Sequence, residues 1–150
     1  RIVSNQPQYN MIQRRIESGV IPLCEREGVG QVVFSPLAQG VLTGKYRPGD
    51  APEEGTRAAD PESNRFMQQL MNEEVLSAVD ELRSVASEAD LSMPQLALSW
   101  VLRQDNVSSA IIGASRPEQV DDNAAASGVK LPADVLSEID GILDGVIQRG

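Results

Sequence analysis

Three short apolar runs rich in β-branched residues, Ile2-Val3, Val32-Val33-Phe34 and Ala110-Ile111-Ile112, constrain this chain most. Each passes into polar or glycine-containing residues and then into helical periodicity. Strands that are apolar throughout and alternate with helices belong to a parallel sheet covered by those helices. An antiparallel sheet with one wet face would instead alternate apolar and polar positions. The chain therefore reads as α/β.

The helices follow from spacing. In NEEVLSAVDELRSVASEAD (72–90), Val75, Val79, Leu82, Ala86 and Ala89 recur at steps of three and four. MPQLALSWVLRQ (93–104) carries Pro94 in its first turn and is apolar nearly all round, through Leu96, Ala97, Trp100 and Val101, which predicts burial. LPADVLSEIDGILDGVI (131–147) lines up Val135, Leu136, Ile139, Ile142, Leu143 and Val146 on one face. MIQRRIESGVIPLCEREG (11–28) is helical but interrupted near Gly19 and Pro22. Between Tyr46 and Asn72 runs a long connection, rich in Pro, Gly and acids at its start, which reads as a functional lid or a partly disordered loop.

No repeat or internal boundary is visible, so residues 1–150 read as one domain. Three βα units alone would leave a small parallel sheet with two bare edges, a poor stable state. The sequence also opens directly in a strand. The expectation is an incomplete domain, the tail of a barrel or of a doubly wound sheet.

Composition narrows the function. The net charge of −9 argues against nucleic acid and anionic membranes as partners, because both need a basic surface. No run approaches the ~20 apolar residues that span a bilayer. The single cysteine, Cys24, excludes an intramolecular disulfide and fits a reducing, cytoplasmic setting. Its place on the packed side of a helix predicts a buried thiol. The absence of histidine removes the usual general base and the commonest metal ligand, so no metal site is expected.

Two loops remain as carriers of chemistry. FSPLAQGVLTGKY (34–46) leaves a strand, turns at Ser35-Pro36 and reaches Lys45. GASRPEQVDDN (113–123) has the S-x-x-E spacing of a capping box in Ser115 and Glu118, Pro117 in a first helical turn, and Arg116 beside the helix start. Helix N-termini attract anions, and a planar guanidinium suits phosphate. Taken singly, the first reads equally well as an ordinary βα loop and the second as a capped surface helix. As loops after neighbouring parallel strands they would bring two cations to one edge, where barrels bind phosphate. GVGQVV (28–33) is no dinucleotide fingerprint, since its glycines precede the strand. GVLTGKY (40–46) lacks the spacing and the Ser or Thr of a nucleotide-binding P-loop.

SNQPQYN, FSPLAQGVLTGKY, PQLALSWVL and IIGASRPEQVDDN, in this order and at these separations, resemble the C-terminal half of the aldo-keto reductases, in the branch that holds the potassium-channel β-subunits and their bacterial relatives. The resemblance runs from residue 1 to the final helix. It implies a (β/α)8 TIM barrel with residues 1–5, 31–35 and 109–113 as strands six to eight, and NADPH bound in an extended pose without a Rossmann fold. Gln6 would then hydrogen-bond the nicotinamide carboxamide, and Phe34 would lay its ring against the nicotinamide. Ser35, Pro36, Leu37, Gln39 and Lys45 would line the pyrophosphate, with Arg57 closing over it. Gly113, Ser115, Arg116, Gln119, Asp122 and Asn123 would hold the adenosine and its 2′-phosphate, and the charge of Arg116 would favour NADPH over NADH.

The family's catalytic Asp, Tyr, Lys and His come from the first half of its barrel, and no residue here matches them. Tyr9 and Tyr46 read as packing or loop residues. The implied function is an oxidoreductase reducing a small-molecule aldehyde or ketone to an alcohol, this stretch supplying the cofactor-binding half. Two other readings stay open. One is a redox-sensing NADPH-binding module that regulates a partner. The other is a non-catalytic fragment that assembles through its strand edges, as a homo-oligomer.

Overall fold

A computed structural model describes residues 1–52, 54–56, 58–59 and 67–149. The order is β1 (Ser4–Asn5), α1 (Val20–Glu27), β2 (Gly30–Phe34), a kinked 3₁₀ segment (Ala38–Thr43), α2 (Glu73–Glu88), α3 (Met93–Leu102), β3 (Val107–Ile111), α4 (Pro117–Ala124) and α5 (Ala133–Leu143). The three strands form one parallel sheet in the order β1-β2-β3, with Asn5 opposite Gln31 and Phe34 opposite Ile111. Beyond β1 the pairing resumes: Phe34 N–H donates to the Pro7 carbonyl at 3.0 Å, and Tyr9 N–H to the Phe34 carbonyl at 3.3 Å. The chain following each strand therefore leaves at the same edge of the sheet.

All three strand boundaries differ from the sequence reading, β2 by one residue (30–34, not 31–35) and the outer two by more. Ile2 and Val3 precede β1 and are 75% and 71% exposed, and the paired residues are the polar Ser4 and Asn5. The third strand is 107–111, not 109–113. Pairing, not apolarity, decides both. Val3 contributes only its carbonyl, which accepts from Gly30 N–H. In β3 the ladder begins at Val107, and an irregularity between Gln31 and Val32 leaves Ser108 as an extra residue. Gly30 makes room there, since a Cβ on it would lie 2.7 Å from Ser108 Oγ.

The helices match their spacing more closely. Asn72 caps α2, its side chain accepting from Val75 N–H at 2.9 Å, and Val75, Val79, Leu82 and Ala86 are buried. Asp90, at φ +54°, ends α2 in the left-handed region where glycine is usual, and Leu91 N–H donates back to the Ala86 carbonyl. Helix α3 is buried at Met93 and from Leu96 to Val101. Of the interrupted 11–28 region only 20–27 is helical. Pro22 falls in the first turn, where its missing N–H is no loss. Cys24 is buried in that helix. Helix α5 packs on α2 through the buried Ile139 and Leu143.

The described part of the 46–72 connection has no helix or strand but is anchored, with Tyr46, Ala58, Met67 and Leu70 buried in the core. Trp100, in the same core, gathers cations and an aromatic ring around it. The guanidinium of Arg103 stands 3.6 Å from its ring centroid and that of Arg14 4.4 Å, with the Tyr9 ring 5.2 Å away. Tyr9 donates its hydroxyl to Glu17 at 2.6 Å, and Arg14 pairs with Asp140 of α5 at 2.6 Å. Burial of the phenol, opposed in part by the Arg103 charge and reinforced by the Glu17 contact, pushes the Tyr9 pKa up to about 12. Both tyrosines are thus packing residues.

Candidate functional site at the strand ends

The loop after β2 is built from backbone conformations that side chains ordinarily avoid. Ser35, Ala38 and Gln39 have φ of +57°, +49° and +59°, followed by Gly40 at +97°. Each left-handed non-glycine residue costs on the order of 1 kcal/mol, and such strain collects where a protein moulds itself to a ligand. Local bonds hold the shape. Gln39 donates its side-chain amide to Ser35 Oγ at 2.7 Å, Ala38 N–H donates to the Ser35 carbonyl at 3.0 Å, and Gly40 N–H to the Leu37 carbonyl at 2.9 Å. Pro36 is buried and Leu37 packs on the core. Lys45 folds back over the loop, so that a Cβ on Gly40 would lie 3.4 Å from its Nζ. Helix α2 fixes the base of this lysine, because Arg83, paired with Asp80 at 2.6 Å, also donates to the Gly44 carbonyl.

Gln6 follows β1 directly and is exposed at the same edge. Phe34, the last residue of β2, is 41% exposed there, beside Ile111 at 42%. An exposed ring at a strand end offers a flat apolar face to a ligand.

After β3 the chain runs through exposed Gly113 into α4. The capping box expected of Ser115 and Glu118 is not formed. The N-cap is Arg116, which makes no side-chain cap, and Pro117 is the first helical residue. The helix starts one residue later than the motif requires, so Ser115 lies outside it. Gln119 takes the role given to Glu118, its side-chain oxygen accepting from Ser115 N–H at 2.8 Å and Ser115 Oγ at 3.2 Å. Arg116 is exposed, and among the described residues neither it nor Lys45 enters an ion pair.

Asp122 and Asn123 take different directions from these. Asn123 is buried. The Asp122 carboxylate accepts from Ser92 Oγ at 3.0 Å and from the Gln95 side-chain amide at 2.8 Å, both on α3. Arg57 lies outside the described residues. Gln6, Phe34, the 35–45 loop and residues 113–119 are thus gathered at one sheet edge, with Asp122 turned towards α3.

Asn10 is a residue that the sequence reading misses. Fully buried, it donates its amide to the Ser35 carbonyl at 3.0 Å and accepts from Ile12 N–H and Gln13 N–H at 3.0 and 2.8 Å. It therefore ties the loop after β1 to the first left-handed residue of the loop after β2. The only cue is an Asn just past a strand, which marks turns generally.

The Aldo/keto reductase family model matches residues 1–144. Among curated proteins, a probable voltage-gated potassium channel subunit beta from Arabidopsis thaliana is 36% identical, the match covering 98% of this chain and 45% of that protein. The L-glyceraldehyde 3-phosphate reductase of Escherichia coli K12 is 35% identical over 93% of this chain and 41% of its own length. A solved glycerol dehydrogenase from Gluconobacter oxydans superposes with a TM-score of 0.79 at 30% identity, covering 96% of this chain and 43% of that one. The chain spans less than half the length of these relatives. The family and the structural neighbour imply a (β/α)8 barrel, and the parallel βα units agree with it. On these grounds the chain belongs to the aldo/keto reductase family.

Proposed function

We propose that this chain forms strands six to eight and the closing helix of a (β/α)8 barrel, and that it supplies the NADPH-binding half of an oxidoreductase reducing an aldehyde or ketone to an alcohol. The observation that carries the reading is the left-handed loop at Ser35–Gly40 beneath Lys45, at the same sheet edge as the N-terminus of α4 and Arg116. Two cations without ionic partners among the described residues, a moulded backbone and a helix start suit a ligand with phosphates at two places.

Each residue then has a task. Gln6 orients the nicotinamide amide, and Phe34 with Ile111 forms an apolar wall that keeps water from the ring. Ser35, Pro36, Leu37, Gln39 and Lys45 hold the pyrophosphate, with Arg57 as a further cation. Gly113, Ser115, Arg116, Gln119 and Asn123 receive the adenosine and its 2′-phosphate, and Asp122 serves the same end. Bound NADPH supplies the hydride. The Tyr9 hydroxyl is occupied by Glu17 and Arg103, so the proton for the carbonyl oxygen comes from elsewhere in the barrel. Buried Cys24 accords with a cytoplasmic setting.

Replacing Arg116 by Ala in the full chain tests this. NADPH affinity should fall about 10- to 100-fold, the worth of charge-assisted bonds to one phosphate, while NADH affinity hardly changes. Equal losses for both cofactors would refute the role of Arg116. The similarity to a protein named as a potassium-channel subunit favours one other reading, a sensor whose cofactor state regulates a partner. Turnover of simple aldehydes separates the two, since a sensor binds NADPH but reduces them slowly.

A further inference from the structure

The loop after β2 is strained within itself and held from outside at both ends. Ser35, Ala38 and Gln39 keep left-handed backbones, and such conformations persist only where the surroundings over-determine them. The bonds inside the loop, from Gln39 to Ser35 Oγ and from Ala38 N–H and Gly40 N–H to the carbonyls behind them, shape it but do not tie it to the rest of the fold.

At the near end, the Ser35 carbonyl accepts twice, from Ala38 N–H and from the Asn10 side-chain amide, each at 3.0 Å. Asn10 is fully buried, and its own oxygen accepts from Ile12 N–H and Gln13 N–H. Turning that amide over would set its NH₂ against two donors, so its orientation is fixed and its N–H stays aimed at Ser35. At the far end, Gly44 at φ +72° closes the 3₁₀ segment, and its carbonyl accepts from the Arg83 guanidinium of α2. A Cβ on Gly44 would lie 3.3 Å from Arg83 Nη2 and 3.4 Å from Met93 Cγ, so its backbone is wedged against both α2 and α3. Asp80, one turn earlier on α2, holds the same guanidinium at 2.6 Å. Lys45 is the next residue of the chain.

We propose that Asn10 and Arg83 are positioning residues that hold the β2 loop in its ligand-ready shape before a cofactor arrives, one at each end, without touching the cofactor themselves. The assignment rests on the cofactor reading above. Because the loop serves the pyrophosphate, which NADPH and NADH share, loosening either end weakens both cofactors alike.

Arg83→Met removes the far strut. Methionine keeps an unbranched stem but no donor, and Asp80 is 45% exposed, so water replaces its lost partner at little cost. Asn10→Ser removes the near one, since a serine hydroxyl still accepts from the N–H groups of its own turn but is too short to reach Ser35. In the full chain without cofactor, hydrogen exchange at the amides of Ala38, Gly40 and Gly44 should quicken at least about tenfold in either variant, as the loss of one such bond implies. Strain leaves the closed loop little margin, so open forms become populated and the calorimetric Kd should rise about 3- to 10-fold for NADPH and NADH alike. Unchanged exchange and unchanged Kd in both variants would overturn the assignment. A loss confined to NADPH would place the effect at the 2′-phosphate and overturn it too. So would a loss in Arg83→Met that vanishes at high salt, the mark of a free charge and not of a strut. Ile139→Ala, a core change on α5, should alter neither quantity, and an equal effect there would reduce both struts to general stability. A parent chain that binds neither cofactor would refute the cofactor reading, and this role with it. Parent binding with indifferent variants would refute the role alone.

Discussion

Tyr9 shows how much a single side chain binds together here. Its ring lies against Trp100, and its hydroxyl joins Glu17 of the β1 loop to Arg103 at the end of α3. A phenol with its pKa raised to about 12 favours the protonated form in the folded state, whereas the unfolded chain ionises near 10. Its contribution is therefore intact below pH 10 and is lost as pH rises from 10 to about 12. Denaturant titrations across that range should show stability falling by on the order of 2 kcal/mol, and Tyr9→Phe should remove that part of the slope. Legibility at this scale was uneven. The cations Lys45 and Arg116 could be found from their flanking residues. The commitment of Asp122 to α3 could not, because its partners lie 30 and 27 positions away and only the packed helices bring them together.

Among the elements, α2, α3 and α5 could be read almost residue by residue, whereas α1, the start of α4 and the strands could not. A helix declares its buried face through its own spacing, as α2 and α5 do. A strand of two to five residues is defined by what it pairs with. Ser4–Asn5 is a strand because β2 lies beside it, and Ser108 stands outside the regular ladder because Gly30 leaves room opposite. The misplaced capping box at Ser115 has the same root, since a shift of one residue in the helix start exchanges Glu118 for Gln119 as the responding side chain. The real box, Ser92 with Gln95, had the motif spacing in plain sight. The joint between the β1 and β2 loops can be tested separately. Asn10→Ala leaves two backbone N–H groups and the Ser35 carbonyl without their partner. It should cost about 2–4 kcal/mol in chemical denaturation and loosen the left-handed loop.

On the scale of the molecule, the described chain is a three-stranded parallel sheet with its helices, among which α5 packs on α2. Ile139 is fully buried there, so Ile139→Ala should destabilise the fold by about 2–5 kcal/mol in the same measurement, while leaving NADPH affinity close to the parent value. That alternation of strands and helices was legible as a parallel α/β arrangement from apolar runs alone. The contours of the β2 loop were not, since nothing about Ser35, Ala38 or Gln39 as residue types announces positive φ. Both ladders of the sheet, β1 to β2 and β2 to β3, are internal to this stretch. In the barrel proposed above, the outer edges of β1 and β3 are where the rest of the sheet would join. If this stretch binds NADPH as proposed, nucleotide preference would travel with it as a cassette, independently of the substrate that the recipient barrel accepts.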